Sequence, residues 1–156
     1  MIAGFTLTEK NQITGQIEPQ LPKNKMAKNP FSHIDLRVRS FAKVTDFYRA
    51  FLPALGFTVW WGEEGGEWRG ASSEDSFPTK AFFGFTEYPE HQPNATCIAF
   101  WVDSREEVDR IAEIVRTSGG LNLEGPDLTP EYSEDYYAVF FEDPDGNRLE
   151  VVHRTK

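Results

Sequence analysis

His33, Asp35, Arg37 and Arg39 alternate with Ile34, Leu36 and Val38. Successive side chains of a strand point to opposite faces, so the polar groups form one row and the apolar groups another. An imidazole, a carboxylate and two guanidiniums in one row can hold a polar ligand or move a proton. A solvated strand surface shows the same row. A second group of reactive side chains lies at Glu150 and His153. Their spacing of three puts them on opposite faces of a strand, so a regular strand cannot present both to one ion. Glu150 shares its face with Val152, and His153 reads as a packing residue. Cys97 is the one cysteine, which rules out a disulfide within the chain. In the alternating segment 96–102, Cys97 shares a face with Trp101.

Other chemistries fail on the same residues. Asp143-Pro144-Asp145-Gly146-Asn147 has the spacing of a turn, and Pro144 removes the reading as a calcium loop. The glycines of 62–66 enclose Glu63 and Glu64, which repel phosphate. The net charge of −9 argues against nucleic acid as a partner and does not oppose a cationic ligand. No apolar run approaches the roughly 20 residues of a membrane span, so no membrane role is expected. MIAGFTLTEK has neither the basic segment nor the apolar run of a signal peptide. The expected compartment is the cytoplasm.

These residues need elements to position them. Residues 1–30 are polar and aperiodic, and a flexible arm is expected there. Residues 31–156 then read as one domain. Val44, Phe47, Tyr48, Phe51, Leu52 and Leu55 line one face of an amphipathic helix that follows the first strand. Strands are expected at 57–61, 67–71 and 80–85. The order then recurs. A strand at 96–102 leads to Ser104 and Glu107, the signature of a capping box. Val108, Ile111, Ala112 and Val115 stripe the helix behind it. Gly119-Gly120 ends that helix, and strands follow at 121–123, 136–141 and 149–154. His33 to Val38 aligns with Cys97 to Val102, a period of about 64 residues. A strand-helix-strand-strand-strand unit is thus written twice, at about 31–88 and 95–154.

Four pieces of this pattern, FSHIDLRV, FYRAFLPALGF, CIAFWVDS and FFEDPDGNRLEVV, resemble the vicinal oxygen chelate superfamily. That superfamily includes glyoxalases, bleomycin-resistance proteins and extradiol dioxygenases. The resemblance covers about residues 31–154. It implies an α+β fold in which two βαβββ modules form a U-shaped, partly closed mixed sheet with helices on the outside. The site is then expected in the concave face. Metal-binding members take a histidine from the first strand of a module and a glutamate from the last. His33 and Glu150 match those positions, and Cys97 stands where a second histidine would be. The first module has no acidic residue or histidine at the place matching Glu150, unless a slip brings in Glu87 or His91.

The resemblance supports two functional readings. The first is a lyase, isomerase or dioxygenase that uses a divalent ion (Zn, Ni, Fe or Mn) held by His33, Glu150 and Cys97. Glu150 would also move a proton, and Asp35, Arg37 and Trp101 would contact a small oxygenated substrate. The second is a metal-free binding protein that sequesters a cationic drug among aromatic rings. Relatives often pair, so a homodimer is expected. The modules can join within a chain or across two.

Overall fold

The computed structural model describes residues 31–62, 64–73 and 81–155. The expected arm at 1–30 lies outside these described residues. The first module runs β1 (His33–Val38), α1 (Phe41–Ala54), β2 (Val59–Trp61), β3 (Trp68–Ser72) and β4 (Phe82–Glu87). The second runs β5 (Cys97–Trp101), α2 (Arg105–Thr117), β6 (Leu121–Leu128), β7 (Tyr137–Glu142) and β8 (Arg148–His153). Each module folds into its own four-stranded mixed sheet. Sheet A has the order β1-β4-β3-β2, and sheet B has β5-β8-β7-β6. In both, the first strand pairs parallel with the last, and the remaining pairs are antiparallel. The α+β class and the duplicated βαβββ unit are therefore present. No helix among the described residues is long and apolar enough to cross a membrane.

The helices form where the apolar spacing places them. Val44, Phe47, Tyr48, Phe51 and Leu52 of α1 are all buried. Ser40 precedes α1 without capping it through its side chain. The carboxylate of Glu87 does so instead, accepting from the Phe41 N–H at 2.7 Å. Glu87 is thus committed to a helix terminus, where a negative charge also offsets the helix dipole. Helix α2 carries its own cap. The Ser104 hydroxyl accepts from the Glu107 N–H at 3.3 Å, and the Glu107 carboxylate accepts from the Asp103 N–H at 2.8 Å.

Both modules share one aromatic core. On the side of sheet A, Tyr48 packs on Phe83 and Phe85, with centroids 5.6 and 4.6 Å away. On the side of sheet B, Phe51 packs on Phe100 at 5.6 Å and Phe141 at 5.4 Å. Phe83 and Phe100 also meet directly across the module boundary at 5.6 Å. Helix α1 therefore packs against both sheets. Each sheet keeps its other face turned away from this core.

The turn between β7 and β8 locks the modules together. The Asp143 side chain is fully buried. Its Oδ1 accepts from the N–H groups of Asp145 and Asn147, at 2.8 and 2.9 Å. Its Oδ2 accepts from the Tyr48 hydroxyl at 2.7 Å and the Asn147 amide at 2.9 Å. The neighbouring Asp145 accepts from the Arg39 backbone N–H at 2.6 Å and its Nε at 2.9 Å. Asn147 donates to the Arg37 carbonyl at 3.2 Å, and His91 pairs with the Asn147 carbonyl at 2.7 Å. Arg39 thus leaves the polar row expected on the first strand, because β1 ends at Val38 and the arginine turns toward Asp145. His91 likewise belongs to this joint.

One strand is longer than its sequence suggests. β6 extends to Leu128 rather than 123. It carries Gly125-Pro126, and as an edge strand with two register shifts it tolerates the proline.

Asp143→Ala should cost roughly 3–5 kcal/mol of stability, since several buried donors lose their acceptor together. Tyr48→Phe should cost about 1 kcal/mol, because one hydrogen bond is lost without a cavity. Urea denaturation of the two variants checks both values. A cost below about 1 kcal/mol for Asp143→Ala would remove the turn as the module lock.

Candidate functional site

The outward faces of the two sheets carry the reactive side chains. On sheet A, register pairs His33 with Phe82, Asp35 with Gly84 and Arg37 with Thr86. β3 adds Trp68, Gly70 and Ser72 to this face, and β2 adds Val59 and Trp61. His33 is exposed and lies flat against Phe82, with centroids 4.7 Å apart and planes 4° from parallel. Asp35 is held from two sides. Arg37 donates to its Oδ2 at 2.7 Å, and the Thr86 hydroxyl donates to its Oδ1 at 2.9 Å. Trp61 donates its indole N–H to Ser72 at 2.9 Å. Trp60 points to the core side, where Arg49 lies 4.6 Å over its ring.

On sheet B, Cys97 pairs with Arg148, Ala99 with Glu150 and Trp101 with Val152. Phe140 of β7 lies across from Glu150. Glu150 is only 6% exposed although it sits on the outward face. Its Oε1 accepts from the Tyr136 hydroxyl, and the Cys97 thiol lies 3.9 Å from its Oε2. Burial, the Glu150 hydrogen bond and the Glu150 charge raise the Tyr136 pKa, so its proton stays on at neutral pH. Burial first, and the Glu150 charge second, raise the Cys97 pKa, with Arg148 opposing. A raised thiol pKa means less thiolate, so Cys97 is a neutral thiol at neutral pH.

Two guanidiniums flank Glu150 along β8, each over a ring. Arg148 lies 5.5 Å from Phe140, and Arg154 lies 4.9 Å from Trp101 and 5.9 Å from Tyr136. A cleft of about 860 Å³ adjoins this face at Trp101, with Ser133, Asp135, Arg154 and Thr155 in its lining. The Thr155 hydroxyl and N–H, then Ser133, draw the Asp135 pKa down to about 2. That carboxylate is already engaged. Glu150 and Cys97 lie on the sheet face beside the cleft and not in its lining.

The structure brings some candidate residues together and separates others. Glu150 and Cys97 are neighbours on sheet B, and Trp101 shares their face. His33, Asp35 and Arg37 lie together on sheet A. Among the described residues, no three His, Cys, Asp or Glu side chains are grouped to hold a metal within one chain. His153 accepts or donates at the Val102 carbonyl, 3.1 Å away, on the core-side parity of β8. The Tyr136 link to Glu150 has no sequence signal, because Tyr136 precedes β7 and reaches β8 through the fold alone.

The profile of the Glyoxalase/Bleomycin resistance protein/Dioxygenase superfamily matches residues 31–151, and the chain belongs to this superfamily. The fold is similar to that of a glyoxalase/bleomycin resistance protein from Albidiferax ferrireducens T118. Identity is 25%, the TM-score is 0.64, and the match covers 80% of this chain and 98% of that one. It is also similar to fosfomycin resistance protein FosX from Mesorhizobium loti, at 17% identity and TM-score 0.57, over 81% and 93% of the two chains. A variant FosX from Listeria monocytogenes, complexed with Mn(II) and 1S,2S-dihydroxypropylphosphonic acid, matches at 19% identity and TM-score 0.58. That match covers 81% of this chain and 91% of the other. No curated protein sequence matches this chain.

Glu150→Gln removes a charge that raises the Cys97 pKa. The thiolate fraction at a given pH then increases, and alkylation by iodoacetamide near pH 8 should be faster than in the unaltered protein. An unchanged rate would show that Glu150 does not act on the thiol.

Proposed function

We propose that this chain forms a dimeric, divalent-metal-dependent member of its superfamily, acting on a small oxygenated substrate. In this reading each site joins the outward face of sheet A from one copy to that of sheet B from another. The U-shaped surface is completed across copies. The observation that carries this reading is the placement of His33 and Glu150. They lie on outward faces on either side of a shared core, so one chain does not bring them to one ion.

The donor set fits a borderline divalent ion in part. An imidazole from His33 and a carboxylate from Glu150 suit such an ion. Cys97 stands beside Glu150, and its neutral thiol must lose its proton before it is a strong ligand. Three protein ligands with an open position match a catalytic rather than a structural site. When bound, the ion would supply Lewis acidity to substrate oxygens.

The chain's own residues do the rest. Tyr136 donates to Oε1 of Glu150 and so fixes the carboxylate plane. Oε2 faces the Cys97 thiol, 3.9 Å away. Phe82 holds the His33 ring by stacking. Asp35, with both oxygens engaged by Arg37 and Thr86, is held in the same row as His33. Trp101 and Arg154 bound the site on the side of the cleft.

Protein purified without chelator should contain stoichiometric Zn, Ni, Fe or Mn by elemental analysis. His33→Ala and Glu150→Ala should each reduce that content by at least about tenfold, as expected for loss of a ligand. Light scattering should give twice the chain mass. Metal-free protein, or a monomer that holds metal, would contradict the proposal.

A further inference from the structure

Two guanidiniums on the core side of sheet A pair with no carboxylate among the described residues. Arg69 of β3 shares a strand face with Ala71, which is buried in the core. Its Nη1 donates to the Thr45 hydroxyl of α1 at 2.5 Å, and its guanidinium lies 4.4 Å over the Phe41 ring. Arg49 stands one helical turn beyond Thr45, on the same face of α1. Its guanidinium lies 4.6 Å over the Trp60 ring. Trp60 pairs with Ala71 across β2 and β3, so it is a diagonal neighbour of Arg69. The two arginines thus approach one place from two elements.

That place is a pocket of about 250 Å³ lined by Arg49, Trp60, Gly62, Glu64 and Arg69. Gly62 has φ +97°, and a Cβ there would lie 2.4 Å from the Trp68 carbonyl oxygen and 3.3 Å from Cγ of Arg69. The missing side chain lets the turn after β2 close onto the stem of Arg69. Glu64 belongs to the same turn and is exposed. The lining therefore carries two positive charges against one negative, in a chain of net charge −9. Like charges on one small pocket repel, and an anion between them reverses the sign. Arg49 makes no hydrogen bond among the described residues, so its donors are free for a ligand. A guanidinium fork matches the oxygens of a phosphate two at a time. The pocket is smaller than the roughly 300–1,000 Å³ of sites for drug-sized ligands, so its ligand is small.

We propose that this pocket is a phosphate-group site, in which Arg49 and Arg69 hold one tetrahedral oxyanion beside the Trp60 ring. It stands apart from the metal reading, because His33 and Asp35 lie on the opposite face of sheet A. A bound oxyanion bridges α1 to β3 and ties the turn after β2 to both.

The test uses the full-length protein, exchanged into chloride buffer and titrated at constant ionic strength with inorganic phosphate or glycerol 3-phosphate. The readout is the backbone amide NMR signals of Gly62 and Arg69, together with the dissociation constants. Both signals should shift saturably with inorganic phosphate. Arg49→Gln and Arg69→Gln should each weaken binding by about tenfold or more, since each removes a charge-assisted partner. Arg49 is exposed, so its variant keeps the test open if Arg69→Gln fails to fold. Glu64→Gln removes the opposing charge and should tighten binding. His33→Ala should bind phosphate as the unaltered protein does. Tighter binding of glycerol 3-phosphate assigns the source to a phosphate ester, and tighter binding of inorganic phosphate assigns it to the free ion. No saturable shift at Gly62 and Arg69, an affinity unchanged in Arg49→Gln, or weaker binding in Glu64→Gln would each overturn the proposal.

Discussion

The fold depends on one buried carboxylate. Asp143 has no access to solvent, and four donors converge on it. Burying an ionised group is costly unless its lone pairs are met. Here they are met by the turn's own N–H groups, an asparagine and the hydroxyl of Tyr48. The last of these comes from the other module. Tyr48 therefore does two jobs, filling the aromatic core with its ring and completing a turn with its oxygen. Its own pKa is driven well up by burial and by Asp143, which keeps the proton in that bond. Once the turn is set, Asp145 and Asn147 hold Arg39 and the end of β1. The joint anchors the end of β1, and pairing with β4 sets its register and so the position of His33.

The joint also determines what each sheet can face. With α1 packed against both sheets, the core takes one face of each. The other faces remain for ligands. The two copies of the unit have diverged on those outward faces. Sheet B holds a carboxylate, a thiol and two ring-stacked arginines. Sheet A holds a histidine, a tied aspartate and aromatic rings. The cores differ too: α1 buries the rings of Phe47, Tyr48 and Phe51, whereas α2 buries the aliphatic Val108, Ile111, Ala112 and Val115.

Much of this was legible in the sequence. The two helices and their buried stripes follow from periodicity, and alternation gave the correct faces for His33, Cys97 and Glu150. Other features were not legible. Arg39 continues the polar alternation of β1, yet the strand ends before it, because a carboxylate more than a hundred residues away draws it off. Gly125-Pro126 has turn composition and lies in a strand, since an edge needs fewer backbone donors. Gly84, which pairs with Asp35 as Glu150 pairs with Ala99, looked like an absence in the ligand pattern. Only the contact with the edge of Trp68 shows what takes its place. Local patterns report the element and the face, whereas long-range pairing decides where a face points and what lies over it.

The central proposal is that each metal site draws His33 from one copy and Glu150 from another. A mixture of His33→Ala and Glu150→Ala proteins, exchanged to equilibrium, tests it most directly. Half the dimers would then be mixed, and each would hold one intact site, so the mixture should regain roughly a quarter of the wild-type metal. A mixture that forms hybrid dimers yet holds no more metal than either variant alone, while the unaltered protein is loaded, would contradict the account.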